Sequence, residues 1–136
     1  MATFNKFNSF VEELAHGAHD LDNDQLTVAL TNDAPTAANS VLADLTEIAY
    51  TNLSSRNLTR TSSGQTGGTY AIVLEDLTLT ASGGSVAEFR YAVIYNSTAV
   101  GGPLIGWYDR GSGVILQDGE SITLDFTEAQ TLLEIS

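Results

Sequence analysis

Phe89-Arg-Tyr-Ala-Val-Ile-Tyr-Asn96 and Pro103-Leu-Ile-Gly-Trp-Tyr-Asp109, joined by a Ser/Thr/Gly-rich break, decide the fold of this chain. Successive side chains of a strand point to opposite faces. Phe89, Tyr91, Val93 and Tyr95 therefore share one expected face, and Ala92 and Ile94 lie on the other beside Arg90. A strand apolar on both faces has protein on both sides, so this run is expected to be central. Leu104 to Tyr108 returns beside it. The two runs hold five of the eleven aromatic residues, which makes this ribbon the expected centre of the core.

Towards the C-terminus, Gly111-Ser-Gly113 reads as a loop, Val114 to Gln117 as a strand and Asp118-Gly119 as a two-residue hairpin turn. Ile122, Leu124 and Phe126 then alternate with polar residues, and Thr131 to Ser136 reads as a last strand. Towards the N-terminus, Tyr70 to Ala81 reads as a long strand with a fault. Ile72 and Leu74 share one parity and Leu77, Leu79 and Ala81 the other, so a bulge or corner is expected at Glu75-Asp76. The polar stretch from Asn52 to Thr69 reads as a loop or edge segment. Ser40 is a candidate cap for a short helix carrying Val41, Leu45 and Ile48. Gln25 to Thr31 alternates as a strand with Leu26, Val28 and Leu30 inward and Thr27 and Thr31 outward. Phe4, Phe7, Phe10, Val11 and Leu14 recur at helical spacing, so a helix is expected over residues 3–19, capped by Thr3 and ended at Gly17.

The expectation is a mainly β protein: an antiparallel β-sandwich or flattened barrel of seven to eight strands, with an N-terminal α-helix and a short middle helical turn. At 136 residues it reads as a single β-rich domain, 1–136, with a helical segment over 1–20 and the β-sandwich over 25–136. There is no cysteine, hence no disulfide framework and no thiol chemistry. No apolar run reaches about 18 residues, so no membrane partner is expected, and the start of the chain has no secretory pattern. Five basic residues stand against seventeen acidic ones, a formal net charge of −12. That argues against nucleic acid as a partner, which would need clustered cations. It fits either solubility at high local concentration or complementarity to a basic protein surface.

Motifs for chemistry do not assemble. Asp20-Leu-Asp22-Asn-Asp24 opens like a calcium-binding EF-hand loop, but the sixth and twelfth positions, which need Gly and Glu, are Gln25 and Thr31. His16 and His19 have metal-ligand spacing on a helix without a third ligand. Trp107-Tyr108 beside Asp109 and Arg110 can be read as a sugar-stacking site or as core. No enzyme activity, catalytic residue, metal or cofactor is expected. The candidate docking residues are Phe4, Phe7 and Phe10, with Arg56 and Arg60 as exposed cationic contacts.

Several stretches resemble small structural proteins of tailed bacteriophages, most closely the capsid decoration, or cement, class. They are Phe4-Asn-Lys-Phe-Asn-Ser-Phe-Val-Glu-Glu-Leu-Ala15, Leu26-Thr-Val-Ala-Leu-Thr-Asn-Asp-Ala-Pro35 and Val41-Leu-Ala-Asp-Leu-Thr-Glu-Ile48, together with the two central runs and Asp118-Gly-Glu-Ser-Ile-Thr-Leu-Asp-Phe126. The resemblance implies a virion protein, made in the host cytoplasm, that binds the outer surface of the phage head. There it would stabilise contacts between subunits of the major capsid protein, as a symmetric homo-oligomer, often a trimer. The alternatives are a tail, neck or baseplate component, or a carbohydrate- or receptor-binding module.

Overall fold

The computed structural model describes residues 4–126 and 133–135. It is mainly β. A two-residue strand β1 (Asn5–Lys6) leads into helix α1 (Asn8–Ala15). Eight longer antiparallel strands follow: β2 (Leu26–Thr31), β3 (Arg60–Thr66), β4 (Thr69–Leu74), β5 (Leu77–Thr80), β6 (Phe89–Asn96), β7 (Leu104–Val114), β8 (Ser121–Leu124) and β9 (Leu133–Ile135). They form three sheets, ordered β1-β7-β6-β2, β3-β4-β9 and β5-β8, with no closed barrel. A 3-10 turn, Leu42–Asp44, lies in the long connection between β2 and β3.

β6 is central, as its two apolar faces demand: β7 flanks it on one side and β2 on the other. One face of this sheet, with Val28, Leu30, Ile94 and Ile105, packs on Ile72, Leu74 and Leu79 of the two smaller sheets. The other face, with Ala29, Val93, Tyr95 and Leu104, is covered by Phe7, Leu42 and Leu45. β2 is consequently buried at all six positions, Thr27 and Thr31 included, because the long β2–β3 connection covers the side expected to face water. Phe89 departs from the expected parity. A register shift between Phe89 and Tyr91 turns it onto the face of Ala92 and Ile94, where it joins the larger cluster.

The helix is shorter than its apolar spacing predicts. Phe7 is extended (φ −77°, ψ 144°) and its N–H bonds Ile105 O at 3.2 Å, so Asn5 and Lys6 pair with β7 as strand and the chain coils only after Phe7. A Cβ at Gly106 would overlap the Phe4 ring and come within 2.8 Å of Asn5 O, so glycine there permits this close approach. Gly17 does end the helix: at φ +81° it donates to Leu14 O, while Ala18 donates to Glu13 O, the bonds of a left-handed helix cap.

The fault at Glu75-Asp76 is real and separates β4 from β5, which lie in different sheets. Of the stretch expected as a loop or edge segment, residues 60–66 are an edge strand, and the expected loop at Gly111-Ser-Gly113 is strand instead. β3 and β4 form a hairpin through Gly67-Gly68, and β7 continues through Gly111-Ser-Gly113 to Val114. Asp118-Gly119 does turn the chain, but β8 then pairs with β5, because Gly119 N and Glu120 O bond the backbone of Ala81. The middle turn is capped by Asp44, whose carboxylate accepts from Ser40 N and Val41 N and is held below the usual carboxylate range by those bonds. Residues Thr131 and Leu132, and Ser136, of the expected last strand lie outside the described residues.

Candidate functional site

The docking residues expected at the N-terminus are structural. Phe7 and Phe10 are 0% and 1% exposed. Phe7 stacks on Trp107 (centroids 4.6 Å, 45°) and Phe10 on His19 (5.2 Å). Phe4 is half-buried against Tyr108, at 5.5 Å. The apolar payload of the terminus thus covers the sheet, leaving Phe7 and Phe10 no surface for a partner in this fold.

Arg56 and Arg60 are also turned inward. The Arg56 guanidinium bonds Val28 O at 2.6 Å and lies 3.5 Å from the Tyr50 ring centroid. Arg60 donates to Asp24 O at 2.7 Å. Arg56 ties the β2–β3 connection to the edge of β2, and Arg60, at the start of β3, holds the turn before β2; a cation committed to a backbone carbonyl has little left for a partner. Around Arg56 the outer edge of β2 is closed. Leu30 N donates to the Tyr50 hydroxyl, which donates to Glu47, and Val28 N and Ile48 N complete the ladder with Arg56 O and Leu30 O. Burial, then the Glu47 bond, pushes the Tyr50 phenol well above its usual range.

The histidines part company. His16 is exposed, while His19 is 6% exposed. Asn96 Oδ1 accepts from Thr98 N and Ala99 N, so its Nδ2 must donate, to Asp24 at 2.7 Å and to His19 Nδ1 at 3.1 Å. His19 Nδ1 is then an acceptor and the neutral ring carries its proton on Nε2. Burial lowers the His19 pKa against the opposing pull of Glu13 and Asp24. The acidic turn is self-satisfied in part: Asp20 accepts from Asn23 Nδ2 and Asp22 N, and Asp22 accepts from Ser63 Oγ. Among the described residues no group of three or more His, Asp or Glu is arranged to hold a metal ion.

Trp107 is half-buried by its stack on Phe7, so the sugar-platform reading loses one ring face to the core. Next to it Arg90 and Asp109 form a bidentate pair, 2.8 and 3.0 Å, and Gly111 N adds a third bond to the carboxylate. The Arg90 bonds, then the Gly111 bond, hold Asp109 below the usual carboxylate range. Arg90 also lines a cleft of about 240 Å³, with Phe89, Tyr108, Ile122, Leu124 and Phe126, and Arg110 in its wall. The sequence does not announce the cleft, because β6, β7 and β8 meet there only through the pairing of β8 with β5.

The open surface is of a different kind. β3 is the outer strand of its sheet, and its residues from Thr61 to Thr66 are polar or glycine and mostly exposed. No helix of the described residues is long and apolar enough to cross a membrane. Compared with known proteins, the chain matches no family model, no curated protein and no solved structure.

Proposed function

We propose that this chain is a capsid decoration protein, a rigid β scaffold that binds the outside of a phage head and bridges subunits of the major capsid protein as a small symmetric homo-oligomer. The resemblance of its central runs and N-terminal segment to that class motivates the reading. The observation that carries it is the use made of the reactive side chains. Arg56, Arg60, Arg90, His19, Tyr50 and Asp44 are each bonded to the chain's own backbone or to a neighbouring side chain. Arg56, Arg60, His19 and Tyr50 fasten connections to neighbouring segments, Arg90 joins β6 to Asp109 of β7, and Asp44 caps its own turn. A scaffold uses polar groups in this way, whereas a catalytic centre aims them at a shared space; His19 Nε2 and Arg60 Nε alone of these residues' side-chain atoms are buried without a hydrogen-bond partner.

Many weak contacts from a stiff oligomer add up by multivalency, so no single deep pocket is needed to hold it on a lattice. The excess of acid, −12, keeps many copies soluble until assembly and suits a basic patch on the shell. Cross-linking mass spectrometry on intact particles tests the assignment. The reading expects links from this chain to the major capsid protein. Links confined to tail, neck or baseplate proteins would replace it with the tail-component reading. A glycan-array signal that survives in wild type and disappears in a folded Trp107→Ala variant would favour the carbohydrate-binding module instead.

A further inference from the structure

The fold treats its strand edges unequally. The outer edge of β2 is sealed by Arg56, Leu58, Ile48 and the Tyr50 hydroxyl, and that of β5 by Leu53 and Ser54. β1 is only two residues long. β3 runs for seven residues, and among the described residues no strand or strap pairs with its outer side. Natural edges of this length are usually blunted by charge, proline or a covering loop. β3 has only a register shift between Arg60 and Ser62, at its far end.

The hairpin geometry says which groups face outward. Gly67 and Gly68 are both left-handed (φ +60° and +87°), the two-residue turn that closes on a hydrogen-bonded pair, here Thr66 and Thr69. Bonded and non-bonded pairs then alternate, so Gly64 with Ala71 is bonded and Ser63 with Ile72 and Gln65 with Tyr70 are not. Tyr70 and Ile72 accordingly turn their peptide groups to β9. Ser63 and Gln65 turn theirs to the outside. Gly64 sits between them, and a Cβ built on it meets nothing within 4 Å.

From this edge we infer that two copies of the chain join by pairing β3 with β3 antiparallel about a twofold axis at Gly64. Ser63 pairs with the partner's Gln65 and Gln65 with the partner's Ser63, extending the sheet across both copies. The occupant is a second copy because of charge. Thr61 to Leu74 contains no charged side chain, on a chain with net charge −12. Here two acidic molecules can meet along a strand without setting carboxylates opposite each other, and every contact is used twice, as a twofold interface requires. Asp22, bonded to Ser63 Oγ, is the nearest acid, so association should strengthen as salt screens the remaining repulsion. The pairing closes at two copies, where the resemblance implies three. It concerns how copies join, whatever they then bind, and stands apart from the decoration reading.

The absence of cysteine provides the test. Directly opposed non-bonded residues have Cα atoms about 4.5 Å apart, within the roughly 4.4–6.8 Å that a disulfide spans. The full chain carrying Gly64→Cys is oxidised mildly beside a Ser82→Cys control, whose loop position is exposed, and wild type is sedimented over a concentration series. The expected result is a wild-type dimer, with Gly64→Cys linked on the order of a hundredfold faster than Ser82→Cys, as an enforced effective concentration dictates. Wild type monomeric up to about millimolar concentration would overturn the inference. So would an assembly in which Gly64→Cys links no faster than the control. Either failure leaves the cross-links to the capsid protein to be decided separately.

Discussion

Truncating Phe7 to alanine tests whether the N-terminal segment belongs to the fold or is an arm held in reserve for a partner. The ring is fully buried between Ala29, Val93, Tyr95 and Leu104 and stacks on Trp107. Removing a buried phenylalanine leaves a cavity and costs about 3–5 kcal/mol, of which the lost ring pair is roughly 0.5–1.5. Typical domains have about 5–15 kcal/mol in hand, so Phe7→Ala should remain folded with little margin. With a urea slope of about 2 kcal/mol/M, the unfolding midpoint falls by roughly 2 M. Trp107 is the only tryptophan and touches the deleted ring, so its fluorescence reports both the unfolding and the local loss of packing. Val11, 51% exposed on the same helix, is the control; Val11→Ala should stay within about 0.5 kcal/mol of wild type. A loss below about 1 kcal/mol for Phe7→Ala would refute the reasoning and return the segment to the list of docking arms.

Other expectations follow from the polar ties. Arg56→Met removes the bond to Val28 O and the contact with Tyr50; it should cost about 1–3 kcal/mol and speed amide exchange at Val28 and Leu58 before the rest of the sheet. Burial pushes the Tyr108 phenol up to about 12. A folded-state pKa above the unfolded value of about 10 means stability that is complete below pH 10 and lost as pH rises towards 12, so alkaline unfolding and tyrosinate absorbance should rise together. His19 has the opposite sign: its depressed pKa gives stability present above about pH 6.5 and lost as pH falls below it. A long-range proton–nitrogen spectrum at neutral pH should show its Nε2–H tautomer. Asp109→Asn should remove part of the acid sensitivity that the depressed Asp109 pKa confers and loosen the outer half of β7, read as faster exchange near Gly111.

Where one physical signal dominates, the sequence is a good guide. The two apolar faces of Phe89 to Asn96 admit only a central strand, and the parity flip at Glu75-Asp76 admits only a break. Gly17 after an apolar stripe marks a helix end because only glycine takes the left-handed cap cheaply. The failures come from signals with two solutions. A spacing of three from Phe4 to Phe7 to Phe10 suits a helix, but equally a strand that bends into one, and the bond from Phe7 N to Ile105 O decides between them. Gly111-Ser-Gly113 looks like a loop because it lacks apolar residues, and the same lack leaves Ser62 to Gly68 open between loop and edge segment; a strand needs only backbone partners, and the structure makes β3 an edge strand. Thr27 and Thr31 look like surface because the strap that covers them is distant in sequence. The arginines illustrate the same limit: charge is visible in a sequence, but the carbonyl that will capture it is not.

The account rests on a stiff acidic scaffold serving to hold other subunits together, and one binding measurement addresses that most directly. Purified chain is added to expanded phage heads lacking it, and bound protein and heat resistance of the heads are followed together. The account predicts saturation at a fixed number of copies per head, with heads that survive higher temperature in proportion to occupancy. Heads that take up none of the chain and break at an unchanged temperature would contradict it.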